Sequence, residues 1–178
     1  MKSEMMPIFQ VPVITIRVSD WDKKKKLLIN KSKKLNLSHD FDRFVKTSYN
    51  LSVGDDMDVK NILSEELSVI EEKIEGTVDV ISSWVEKASK GMWHEIHNHG
   101  MYGLSCSLYL KYDKKEHTPL YFVSPFRNCF DGQLSLATVS DLDEGVLLVF
   151  PSSLDHFTRP NKSSKDRMCL SFNLKCMF

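Results

Sequence analysis

A mainly β fold with helices near the N-terminus covering one sheet is what this chain predicts, and three observations carry that expectation. Beyond Gly76, short strand-like segments follow one another without a helical period between them, which argues for an antiparallel sandwich or open barrel. Before Gly76, apolar residues recur at three- and four-residue spacing, as on amphipathic helices. In two later segments apolar and polar residues alternate: Met168, Leu170, Phe172 and Leu174 against Arg167, Cys169, Ser171 and Asn173, then Cys106, Leu108, Leu110 and Tyr112 against Ser105, Ser107, Tyr109 and Lys111. A sheet with one face in water would give the same alternation. The helices, however, need an apolar face to cover, and if they take it the polar faces line a concavity suited to a polar ligand.

In chain order, Ile8 to Val18 is rich in β-branched residues, and Pro7 and Pro12 confine it to a sheet edge. Ser19 or Asp20 offers an N-cap for a helix reaching about Leu35, with Trp21, Leu28 and Leu35 on one side and a solvated row, Lys23 to Lys26 with Lys31, Lys33 and Lys34, on the other. Val59, Ile62, Leu63, Leu67, Ile70 and Ile74 mark a second helix from Asp58 to Ile74, ended by Gly76. Strands are expected at Val78–Val85, Trp93–His99, Leu104–Tyr112, Leu120–Ser124, Val146–Phe150 and Arg167–Lys175. Asn128 to Leu142 is ambiguous, with Asp131-Gly132 as a turn signal and room for one short strand. The organisation expected is a single domain over 1–178, in which 1–75 covers a β core formed by 76–178.

The 178 residues include 24 basic and 24 acidic side chains, so bulk charge gives no support to nonspecific nucleic-acid binding. No apolar run approaches the ~20 residues of a membrane span, and the start lacks a signal-peptide layout. Cys106, Cys129, Cys169 and Cys176 have neither paired-CxxC spacing nor the density of a disulfide scaffold, so reduced thiols and a cytoplasmic location are expected.

The chemistry concentrates in His97-Asn98-His99, His156 and Arg167. Two imidazoles one residue apart on an extended segment project to the same side, and a third from a distant strand could complete one face of a coordination sphere. Imidazole donors suit iron, zinc, copper or nickel rather than magnesium or calcium, and a three-ligand face leaves positions open for substrate or dioxygen. Arg167, inside an apolar strand, calls for an anionic partner. Glu95, two residues before His97, and Asp155, beside His156, are alternative acidic ligands or supports. Trp84 and Trp93 are expected in the core, His94 and His117 outward, Arg159 at the surface, and Phe126 to Gln133 as a possible lid.

From Val78 onward the sequence resembles the Fe(II)- and 2-oxoglutarate-dependent oxygenases, in particular the prolyl hydroxylase branch and a subfamily of small bacterial and phage members. The resemblance lies in Val80-Ile81-Ser82-Ser83-Trp84, His97-Asn98-His99, Leu104-Ser105-Cys106-Ser107-Leu108-Tyr109-Leu110, Gly145 to Ser152, His156 and Arg167 to Asn173, with Pro7 to Val13 resembling the subfamily's opening. It implies a double-stranded β-helix, also called a distorted jelly roll, of cupin-like type. It also implies Fe(II) held by His97, His99 and His156, with 2-oxoglutarate held by Arg167, Tyr109 and, more weakly, Ser171. Cys169 stands where some relatives carry serine, and His99 stands where the wider superfamily carries an acid. The implied activity is hydroxylation by O2 with release of succinate and CO2 in the cytoplasm of a bacterium or phage-infected cell. A jelly-roll binding or assembly protein without turnover and a three-His dioxygenase independent of 2-oxoglutarate are the rival readings; a homo-oligomer is compatible with each.

Overall fold

Eleven strands and three helices make up the described part of the computed structural model, which comprises residues 10–40, 45–49 and 54–178. The strands are β1 (Ile14–Arg17), β2 (Ser38–Asp40), β3 (Val45–Thr47), β4 (Thr77–Ala88), β5 (His94–His97), β6 (Leu104–Lys111), β7 (Leu120–Arg127), β8 (Leu134–Ala137), β9 (Val146–Pro151), β10 (His156–Thr158) and β11 (Arg167–Met177). The helices are α1 (Trp21–Ser32), α2 (Val59–Ile62) and α3 (Ser64–Ile74). Two antiparallel sheets result, a larger one ordered β1-β9-β6-β11-β4-β3-β2 and a smaller one ordered β5-β10-β7-β8. The edge position expected for the first strand is observed, since among the described residues β1 pairs with β9 alone; Pro7 to Phe9 lie outside them.

The alternation in β11 sorts as the sequence predicts. Met168, Leu170, Phe172 and Leu174 pack with Leu28, Val59, Leu63, Leu67 and Ile70 of the helical region. Arg167, Cys169 and Ser171 face the other way, into a cavity. β9 is apolar on both sides because Leu147 and Val149 join the helix-side cluster while Val146, Leu148 and Phe150 join a second cluster on the opposite face. Tyr112 departs from expectation. It packs on Tyr109 in the second cluster, because β6 ends at Lys111 and the β6–β11 register shifts between Met168 and Cys169.

Another register shift matters more for the site. β4 pairs with β11 through Asn173↔Ser82 and then Leu174↔Val80, so Ile81 bulges out and is 52% exposed. On the N-terminal side of this bulge Val78 and Val80 pack toward the helices; beyond it Val85 takes that role and Glu86 turns into the cavity.

The second helix is broken: Leu63 at φ −110° and ψ 27° separates α2 from α3, and Glu75 rather than Gly76 carries the left-handed cap. Gly76 is required for another reason, since a Cβ there would lie 2.8 Å from the Met177 carbonyl. Ser19 and Asp20 make no side-chain cap on α1. Instead the Ser19 N–H donates to Glu66 Oε1 at 2.8 Å, and Lys24 Nζ lies 2.8 Å from Glu66 Oε2, tying α1 to α3. Lys24 is therefore a structural cation rather than part of a solvated row.

Candidate metal centre

Strand pairing delivers two of the three histidines. β5 ends at His97 and β10 opens at His156, and the two residues are direct cross-strand partners. His99 lies beyond the end of β5, so strand alternation is not what aims it. Its backbone N–H donates to the Ser152 carbonyl at 2.8 Å, and Asn98 Nδ2 donates to Asp155 Oδ1 at 2.8 Å; both fasten the segment to the turn before β10.

The rings of His97 and His156 lie 4.3 Å apart between centroids, those of His97 and His99 5.1 Å, and those of His99 and His156 5.2 Å. One potential ligand atom from each lies within 4.8 Å of the others. A shared ion with metal–nitrogen bonds of roughly 2 Å draws such atoms to about 3 Å, a small ring adjustment. Protonation suits the task as well. His97 Nδ1 lies 2.8 Å from the Glu95 carbonyl and His156 Nδ1 2.8 Å from the Leu154 carbonyl. A carbonyl only accepts, so each Nδ1 carries the proton and each Nε2 keeps a lone pair. Burial, reinforced by neighbouring imidazoles, lowers His97 to about 4 and His156 to about 3, so both are neutral near pH 7. Convergent neutral nitrogen donors of this kind fit a divalent iron-type ion.

The same cavity is lined by Tyr109, Arg167 and Ser171. Arg167 is 5% exposed and donates to the Thr118 carbonyl at 2.9 Å and to Thr158 Oγ1 at 2.9 Å. These acceptors are neutral, and among the described residues no carboxylate pairs with it. A buried guanidinium without an anion is costly, so the cavity favours an anionic guest. Tyr109 Oη accepts the Leu120 N–H at 3.2 Å, and burial raises its hydroxyl well above the usual range, keeping it a donor. Burial likewise raises the Cys169 thiol to about 11, so it lines the cavity as a neutral group.

Three expectations need revision. Glu95 and Asp155 are exposed and outside the histidine group, because β5 carries His94 and His97 inward rather than Glu95, and Asp155 turns to Asn98. His94 is 4% exposed and stacks on His97 at 3.9 Å; His117 is 7% exposed, with Nδ1 accepting the Asp113 N–H at 2.9 Å. Trp93 is only half-buried, whereas Trp84 is in the core at 1% exposure, stacked 5.5 Å from His99. Phe126 to Gln133 forms the exposed end of the β7–β8 hairpin, with Phe130 92% exposed. Arg159 is exposed as expected and lies 4.7 Å from the Tyr121 ring centroid. Sequence reasoning missed Glu86. It is half-buried at the cavity wall, accepts Trp84 Nε1–H at 3.0 Å, and lies 3.4 Å from His94 Nδ1. Burial alone would raise its carboxyl, but His94 and the Trp84 donor hold it well below the usual range.

Comparison with known proteins agrees with this geometry. The family model described as "Putative 2OG-Fe(II) oxygenase" matches residues 82–173, just over half of the chain. No curated protein matches the sequence. Among solved structures, a prolyl-4-hydroxylase from Pseudomonas putida aligns at 13% identity over 92% of this chain and 91% of its own, with a TM-score of 0.59. The viral collagen prolyl hydroxylase of Paramecium bursaria Chlorella virus-1, solved as a 2-oxoglutarate complex, aligns at 12% identity over 93% and 96%, with a TM-score of 0.63. HygX from Streptomyces hygroscopicus, solved with nickel, 2-oxoglutarate and hygromycin B, aligns at 12% identity over 94% and 84%, with a TM-score of 0.66. The fold is thus the double-stranded β-helix, and with it the chain belongs to the Fe(II)- and 2-oxoglutarate-dependent oxygenases.

Proposed function

We propose that His97, His99 and His156 hold Fe(II), and that Arg167 binds the distal carboxylate of 2-oxoglutarate with help from Tyr109 and Ser171. The observation that carries this reading is the buried Arg167, paired only with neutral acceptors, in the same cavity as three convergent imidazoles. Its fork of donors matches a carboxylate, and the Tyr109 hydroxyl, already accepting from Leu120, has its proton left to donate.

When bound, iron and 2-oxoglutarate supply the oxidising chemistry: O2 is consumed, 2-oxoglutarate becomes succinate and CO2, and a substrate C–H bond is hydroxylated. The protein's part is positioning and exclusion of water. The Glu95 and Leu154 carbonyls fix two rings in the ligand-ready tautomer. Phe150 packs edge-on against His156 at 4.8 Å and Trp84 lies over His99, so the ligands stand on apolar walls. Thr118 and Thr158 hold the guanidinium at the cavity wall. Four free thiols, two of them buried, support a reducing, cytoplasmic setting, and no described helix is long and apolar enough to cross a membrane.

The test is ligand-linked stability without oxygen. At a hundred times its dissociation constant, 2-oxoglutarate adds about 2.7 kcal/mol to the Fe(II)-loaded protein. Arg167→Ala removes that increment and leaves the stabilisation by metal alone. An increment that survives the substitution contradicts the assignment of Arg167.

A further inference from the structure

The proposed ligand set is three neutral rings, so a divalent ion there gains no compensating charge from its ligands. A single carboxylate lies among the residues lining the same cavity, that of the half-buried Glu86. Each of its oxygens faces a different ring. Oε1 accepts the Trp84 indole N–H at 3.0 Å, and Oε2 lies 3.4 Å from His94 Nδ1. Each of those rings lies nearly flat on one proposed ligand: His94 on His97 at 3.9 Å and 27°, Trp84 on His99 at 5.5 Å and 26°.

His94 has no other evident use for its imidazole. Its Nε2 is the one buried side-chain polar atom without a partner among the described residues, an arrangement that disfavours the folded state. A phenyl ring would stack on His97 equally well without that cost. What a phenyl ring could not provide is the Nδ1 contact with Glu86.

We infer that Glu86 is a positioning residue for the metal, holding both rings of the His97/His99 pair through His94 and Trp84 and supplying, one layer back, the negative charge that the ligand set lacks. This rests on the three-histidine reading above. It explains how this chain can carry His99 where the wider superfamily has an acid: the charge is retained on β4, turned inward by the bulge at Ile81.

The test uses the full chain and Co(II) as the probe, with affinity measured by calorimetry and metal-free stability by thermal melting. Glu86→Gln is expected to weaken Co(II) binding roughly 10- to 100-fold, the usual effect of losing a residue that supports metal ligands. His94→Phe, which keeps the stack and cuts the link to Glu86, is expected to act in the same direction. In a His99→Asp background, where the charge sits among the ligands, Glu86→Gln should cost much less. Three results would overturn the inference. They are unchanged affinity in Glu86→Gln, an equally large loss in the His99→Asp background (a purely structural role), and absence of Co(II) binding by the unsubstituted protein, which would remove the metal reading as well. Should Glu86→Gln fail to fold, His94→Phe decides alone: weakened binding supports the role and unchanged binding overturns it.

Discussion

The two faces of the seven-stranded sheet are built from the same strands and do opposite work. On the helix side, Leu108, Leu147, Leu170 and Phe172 are fully buried among apolar neighbours, and nothing there needs a ligand. On the cavity side, Arg167, Ser171 and Glu86 from that sheet face His156 and His97 of the smaller one. One face supplies the stability that lets the other bury groups at a cost. The difference teaches where substitutions should affect folding and where they should affect ligands.

The comparison breaks most sharply at His156. His156→Ala should abolish stoichiometric Fe(II) or Co(II) binding while leaving a folded protein, read by metal analysis after dialysis. Retained stoichiometric metal would mean that the ion sits elsewhere. Leu170→Ala on the other face should do the reverse. It should cost about 2–5 kcal/mol in chemical denaturation, as expected for a fully buried leucine, with metal affinity in the folded fraction unchanged.

Much of this division is legible in the sequence, because a period-two pattern in β11 and β6 records which residues share a face. Arg167 could be picked out for that reason, whereas His97 stands out by its His-x-His spacing and His156 by the family resemblance. Glu86 could not: the pattern begun at Val78 and Val80 places even-numbered residues of β4 toward the helices, and only the bulge at Ile81 reverses it. No residue type at Ile81 announces a bulge. His94 was misplaced for a related reason, since the β5–β10 pairing shifts between His156 and Thr158, and both His94 and His97 enter the cavity. β10 itself, three residues long, is too short to leave a periodic signal. His99 joins the histidine group by another geometry than strand alternation, since a backbone bond to Ser152 aims it.

A smaller effect separates the faces by pH. His97 and His156 titrate near 6.5 in an unfolded chain but at about 4 and 3 when folded. Between these values the unfolded state binds protons that the native state refuses, so stability falls as pH drops below about 6.5 and continues to fall toward 3. The melting temperature of metal-free protein should therefore decline from pH 7 to pH 5, above the ordinary carboxylate range. Replacing His156 with phenylalanine should flatten that decline, and an identical slope in both proteins would contradict the buried neutral assignment. The smallest effect belongs to the discarded ligand candidates: Glu95→Gln and Asp155→Asn should leave metal stoichiometry unchanged, and a lost equivalent in either would restore that residue to the site.

The central claim is that one cavity holds an ion on three imidazoles and an organic dianion on Arg167. Anaerobic equilibrium dialysis with Fe(II) and labelled 2-oxoglutarate tests it most directly. The account predicts one equivalent of each per chain, with 2-oxoglutarate binding strengthened by the metal. Retention of neither ligand, or uptake of 2-oxoglutarate that ignores the metal, would contradict it.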